Sequence, residues 1–164
     1  MELMVGGESA GGGLTAALCM YARDRAQVKI AFQMPLYPML DDRETESSKN
    51  NRGLTWNTRR NRAAWKLYLR DTKERSPYAV PARQTDYAGL PPMYTFVGNR
   101  EVFYCETLQF AENLKNAGVA ATVDVYPTGT HAFDILLPFL KISRQAAQAF
   151  EKQFLYACQH YRTE

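Results

Sequence analysis

The tightest constraint on the fold lies at the start of the chain. A short apolar run, Leu3 to Val5, passes into Gly6-Gly7-Glu8-Ser9-Ala10-Gly11-Gly12 and from there into residues with helical spacing. Leu14, Ala17, Leu18 and Tyr21 recur at that spacing and predict a helix from about Ala10 to Arg23. A buried strand that turns at once into a helix leaves its two arms almost touching, and only small neighbours let them pass. It also begins a strand–helix–strand alternation, which builds a parallel sheet covered on both faces.

The rest of the chain continues that alternation. Val28 to Met34 predicts a second strand, ended by Pro35 and Pro38. Asp41 to Gly53 is polar and loop-like, and Ala63 to Leu69 has helical spacing. Ser76 to Pro92 holds four prolines and reads as an irregular excursion. Met93 to Val97 is the third predicted strand. Tyr104 to Ala117 is a helix with Leu108, Ala111 and Leu114 on its apolar side and Gly118 as its cap. Thr122 to Tyr126 is the fourth strand, and about Leu140 to Tyr161 a long final helix. The expected fold class is α/β: a mostly parallel sheet of about four strands with flanking helices, in one domain spanning residues 1–164. That length suffices for one modest core.

Composition removes several functional classes. The formal charge is only +3 at pH 7, too small a surplus to argue for nucleic acid. Arg52, Arg59, Arg60 and Arg62 cluster without aromatic interleaving and read as a solvated loop. Cys19, Cys105 and Cys158 are an odd number at wide spacings, with neither a zinc pattern nor a disulfide framework. No apolar run is long enough to cross a bilayer, and the N-terminal residues do not read as a signal peptide. A cytoplasmic location, no metal and no membrane span are the expectations.

The chemistry-bearing residues fall at the strand ends. Gly7-Glu8-Ser9-Ala10-Gly11 fits G-x-S-x-G between a strand and a helix, the context in which that motif lifts a serine hydroxyl clear of a sheet. The helix start behind it aims backbone N–H groups at a developing oxyanion, and Ala10 N–H is the natural first donor. A phosphate loop would need a following Lys that is not there. The serine needs a base, and the chain has two histidines. His131 follows the fourth strand in a Gly-containing loop. His160 lies in the polar end of the last helix and is expected at the surface. The base in turn needs a carboxylate. Glu101, after the third strand, fits the chain order serine, acid, histidine. Glu106 and Asp134 compete. Glu106 is expected to be helix-dipole decoration in the first turns of its helix, and Asp134 to point away from His131. Phe103, Phe133 and Leu136 are candidates to line a small apolar pocket, each equally open to a reading as ordinary core.

At this point the sequence resembles the hormone-sensitive-lipase family of carboxylesterases, within the α/β-hydrolase fold. The resemblance runs over almost the whole chain. It rests on Gly7-Glu-Ser-Ala-Gly-Gly12, Tyr37-Pro-Met-Leu-Asp-Asp42, Ser76-Pro-Tyr-Ala79, Leu90-Pro-Pro92, Val97-Gly98, Ala117-Gly-Val119 and His131-Ala-Phe-Asp134. It implies a partial α/β-hydrolase domain and hydrolysis of short to medium acyl esters with no metal or organic cofactor. Three departures stand out. Glu101 occupies the place of the family's usual Asp, and Pro127-Thr128 that of its usual Pro-Gly. The family's upstream His-Gly-Gly-Gly oxyanion motif has no counterpart here.

Two readings follow. In the first, the chain is the catalytic part of a serine esterase or lipase-like hydrolase with Ser9, Glu101 and His131 as triad. In the second, it is a weak or inactive fragment that binds a small molecule; a peptidase or thioesterase on the same triad also stays open. With no strand before Leu3, the first strand would be an open edge, so either copies associate through that edge or the chain is a piece of a longer protein.

Overall fold

Among the residues described by the computed structural model (2–70, 72 and 75–162), four strands form a single parallel sheet in the order β1-β2-β3-β4. The strands are β1 (Met4–Glu8), β2 (Phe32–Leu36), β3 (Met93–Gly98) and β4 (Ala121–Tyr126). Every residue of β2 and β3 is buried, while β1 and β4 are partly exposed, as flanking strands are. The helices are α1 (Ala10–Arg25), α2 (Thr58–Tyr68), α3 (Tyr104–Asn116), the short α4 (Phe133–Leu136) and α5 (Lys141–His160). The partial α/β-hydrolase architecture expected from the sequence is therefore the one observed.

Two apolar clusters sandwich the sheet. Ala16, Cys19 and Met20 of α1 pack with Phe110, Ala111 and Leu114 of α3. Phe32, Met34, Tyr94 and Phe96 pack with Phe133, Ala146 and Ala157 of α4 and α5. A third cluster, of Met39, Trp65, Leu69, Val80, Val102 and Phe103, lies between the loops and α2. At the end of α3, Gly118 (φ 78°) donates to Lys115 O and Val119 to Leu114 O, the paired bonds of a Schellman cap.

Several expectations need correction. The first strand does not break at Gly6 and Gly7 but continues through them to Glu8. Gly7 is glycine because a Cβ there would stand 2.6 Å from Gly11 O at the start of α1. The second strand begins at Phe32, and Pro35 lies inside it. In a parallel strand alternate N–H groups face the same neighbour. Gln33 N and Tyr37 N donate to Pro92 O and Phe96 O on the β3 side, so the missing N–H of Pro35 falls between them. The β2–β3 pairing accordingly has one registered pair, Gln33 with Met93. Helix α2 starts at Thr58, its N-cap Asn57 accepting from Arg60 N, so Arg59, Arg60 and Arg62 sit on its exposed side rather than in a loop.

Helix α1 buries its small residues and leaves Leu14, Leu18 and Tyr21 exposed. These large side chains sit at i, i+4 and i+7, one stripe of the helix. Leu3, beside the outer strand β1, is also exposed. Among the described residues β1 is an outer strand of the sheet.

Candidate active site

Ser9 occupies the turn between β1 and α1 with φ 55° and ψ −116°. That is a left-handed φ for a residue with a Cβ, and such strain persists only where the surroundings over-determine it. Here they do. Ser9 N donates to Leu36 O at 3.0 Å, while Ser9 O accepts from Met39 N at 2.9 Å and from Gly13 N at 3.1 Å. Ala10 is the first residue of α1, so its N–H has no acceptor within the helix.

His131 comes from the loop after β4. Its Nε2 lies 2.8 Å from Ser9 Oγ and its Nδ1 3.1 Å from Glu101 Oε2. A neutral imidazole protonated on Nδ1 donates to Glu101 and accepts the Ser9 hydroxyl proton. Glu101 is 1% exposed. Burial pushes its carboxyl above the ordinary carboxylate range, and the bond and charge of His131 pull it back. The loops carrying the acid and the base are laced together, since Asn99 N donates to Tyr126 O and Arg100 N to Thr128 O. Gly98 makes that closeness possible, because a Cβ there would stand 2.6 Å from Thr128 O.

The imidazole is packed on several sides. Tyr37 and Phe103 each meet it in a T-shaped contact, with ring centroids 5.1 Å away, and Trp56 lies at 6.2 Å. The backbone of His131 is clamped by Thr55, whose Oγ1 accepts from His131 N at 3.0 Å and donates to His131 O at 3.3 Å. The sequence reading missed Tyr37, Thr55 and Trp56 as site residues. A tryptophan beside the otherwise polar segment from Asp41 to Gly53 was the one signal available.

The remaining candidates resolve differently. Asp134 does not pair with His131, whose Nδ1 faces Glu101; its Oδ2 accepts from the Tyr37 hydroxyl at 3.4 Å, so it backs a ring that packs on His131. Burial raises the Asp134 carboxyl above its ordinary range and pushes the Tyr37 hydroxyl up as well. Glu106 is no surface decoration. It is buried, and its Oε1 accepts from Leu40 N and Asp41 N. His160 is exposed, stacked on Tyr156 with its Nδ1 at 2.8 Å from Tyr156 O. Phe103 is wholly buried against His131. Phe133 is wholly buried against Phe96 and Tyr126, a core position, and Leu136 is exposed. Beside Ala10 a largely apolar cleft of about 270 Å³ is lined by residues including Gly13, Leu14, Met39, Trp65 and Tyr78. Among the described residues no group of three or more His, Cys, Asp or Glu is placed to hold a metal ion.

Comparison with known proteins bears on the same geometry. A family profile for the alpha/beta hydrolase fold matches residues 1–135. An acetyl-hydrolase of Streptomyces hygroscopicus is 28% identical over 150 residues, covering 90% of this chain and 50% of the relative. The carboxylic ester hydrolase LipN of Mycobacterium tuberculosis is 30% identical over 140 residues, covering 80% of this chain and 37% of that protein. Among solved structures, a bacterial heroin esterase superposes with a TM-score of 0.84 at 34% identity, over 89% of this chain and 48% of its own. The esterase LipW of Mycobacterium marinum gives 0.83 at 34% identity, over 88% and 46%. The chain thus spans half or less of the length of these relatives. With its sheet, its serine turn and these matches together, the chain belongs to the α/β-hydrolase fold family, where its resemblance is to the hormone-sensitive-lipase-like carboxylesterases.

Proposed function

We propose that this chain carries the triad of a serine carboxylesterase, with Ser9 as nucleophile, His131 as base and Glu101 as the acid that orients it. The observation that carries this reading is the relay from Ser9 Oγ through both nitrogens of His131 to Glu101 Oε2, at 2.8 and 3.1 Å. In the reaction His131 takes the Ser9 proton as Oγ attacks the ester carbonyl, then returns it to the departing alcohol. A water molecule, deprotonated by the same nitrogen, releases the acid from the acyl-enzyme. Glu101 fixes the tautomer and stabilises the imidazolium, and Ala10 N–H binds the oxyanion.

The cleft beside Ala10 supports a substrate class. At about 270 Å³ with a largely apolar lining beside Ala10, it suits a small apolar group, which supports esters of short to medium acyl length. The relatives named as esterases and an acetyl-hydrolase support ester hydrolysis. The three cysteines are free thiols, which fits a reducing, cytoplasmic setting. No helix of the described residues is long and apolar enough to cross a membrane.

Incubation with a fluorophosphonate probe, read by intact mass, tests the reading. A covalent adduct absent from Ser9→Ala and His131→Ala is the expected result. Absence of an adduct in folded wild-type chain would instead favour the second reading, a small-molecule binding module that keeps the residues of the triad without their reactivity.

A further inference from the structure

Ser9 is held in its strained conformation from one side by the turn after β2. Leu36 O accepts from Ser9 N, and Met39 N donates to Ser9 O. The turn itself departs from ordinary backbone, with Tyr37 at φ 33°. A residue that bonds to the far end of this turn lies in the first turn of α3. Glu106 turns one carboxylate oxygen away from its own helix to accept from two successive amides of the turn, Leu40 N at 2.6 Å and Asp41 N at 3.2 Å. Its other oxygen is buried with no partner. A charge placed for the helix dipole needs no burial and no such reach. A neighbouring contact ties the same helix start to the following loop: Ser47 Oγ donates to Val102 O and accepts from Cys105 N. Glu101 lies on this segment too, just ahead of α3.

We infer that Glu106 is a positioning residue for the serine turn: by holding Leu40 and Asp41 it fixes Met39, and through Met39 N the orientation from which Ser9 Oγ meets His131 Nε2. One short segment, from Glu101 to Glu106, then supports both ends of the relay, the acid directly and the nucleophile through the turn. Glu106 itself touches none of the reacting atoms. The inference rests on the assignment of Ser9 as nucleophile.

The test compares wild type with Glu106→Gln, Glu106→Asp and Glu106→Leu. It reads the rate of fluorophosphonate capture by Ser9, kcat and KM on p-nitrophenyl butyrate, and amide exchange at Met39, Leu40 and Asp41. Gln keeps an acceptor at the same reach and should stay within about threefold of wild type throughout. Asp is too short and Leu has no acceptor. In both, capture and kcat should fall about 10- to 100-fold with KM little changed, as misplacement of a reacting group by about 1 Å produces. The three amides should exchange about tenfold faster or more in the same variants. A role in stability alone would lower the melting temperature but leave capture per folded molecule and exchange at Met39 as in wild type, and that result overturns the inference. Should Glu106→Leu not fold, Glu106→Asp carries the comparison. Failure of wild type to react with the probe would refute Ser9 as nucleophile, while exchange still judges Glu106. Faster exchange in Asp with protection kept in Gln upholds the hold on the turn, and equal protection in all three refutes it.

Discussion

Replacing Glu101 by Gln removes a charge without changing the shape of a side chain that is 1% exposed. Its Oε2 stands 3.1 Å from His131 Nδ1, which puts the carboxylate and the imidazolium formed during attack about 4 Å apart between charge centres. At an effective dielectric of about 20 that attraction is worth about 4 kcal/mol. The ground state contains no imidazolium, so nearly all of that attraction belongs to the transition state and is lost from it. About 4 kcal/mol is about a thousandfold in rate. A second effect acts in the same direction: an amide N–H turned towards Nδ1 selects the tautomer whose Nε2 carries a proton and cannot accept one from Ser9. An Asp-to-Asn change in the analogous place of a serine protease costs about 10⁴-fold. The expected loss for Glu101→Gln is therefore about 10³- to 10⁴-fold in the second-order rate of fluorophosphonate capture. It should be measured by intact mass at pH 8, with the fold checked by circular dichroism. A Glu101→Gln protein captured within about threefold of the wild-type rate would refute the charge argument and with it the place of Glu101 in the relay.

Other consequences follow from single contacts. Gly98→Ala should cost about 1–3 kcal/mol of stability in urea titrations, as overpacking does, and slow capture of the probe, because its Cβ would drive the acid loop from the base loop at Thr128; unchanged stability would show that the loops separate freely. Burial pushes the Glu106 carboxyl up to about 8, with Asp41 and Glu101 adding to the rise and the Leu40 and Asp41 amides opposing it. The folded form therefore keeps that proton in a range where the unfolded chain has already released it, and this group's contribution to stability is greatest below pH 4.5 and declines until about pH 8. The stability of wild type relative to Glu106→Gln should fall across that window in urea titrations at successive pH values; a flat difference would contradict the burial argument. The exposed apolar stripe of Leu14, Leu18 and Tyr21 on α1 should make the chain associate. Sedimentation should show a species heavier than 18.7 kDa that Leu14→Lys with Leu18→Lys dissociates, and a wild-type monomer would remove the expectation.

What could be read from the sequence was what depends on local backbone. The serine turn announces itself because close passage of strand and helix admits only small residues around it. The acid and the base could be sought after the third and fourth strands because the loops of a parallel sheet that carry such groups emerge at one end. What could not be read depends on contacts distant in sequence. Glu106 has the sequence context of a helix-dipole residue, and only the fold brings the turn of Leu40 and Asp41 onto it. Tyr37 and Asp134 look unrelated in the chain but share a hydrogen bond behind the imidazole. Thr55 gives no local sign that it clamps His131. Pro35 read as the end of a strand because its missing N–H is visible in the sequence, whereas the neighbour that would have received it is not. Helical spacing in α1 found the helix but did not tell its covered side from its open one, since both are apolar.

The order of the sheet also has a consequence for how the chain comes into being. Each strand pairs with the one made just before it, so the sheet can grow at the pace of synthesis without any strand waiting for a later partner. The relay is built on the opposite schedule. Its serine precedes its histidine by 122 residues, and the histidine emerges only after the fourth strand. Until then the hydroxyl has no base and is chemically quiet. Reactivity in a nascent chain would therefore arise late and all at once, as a property of the finished sheet rather than of the turn that displays the serine.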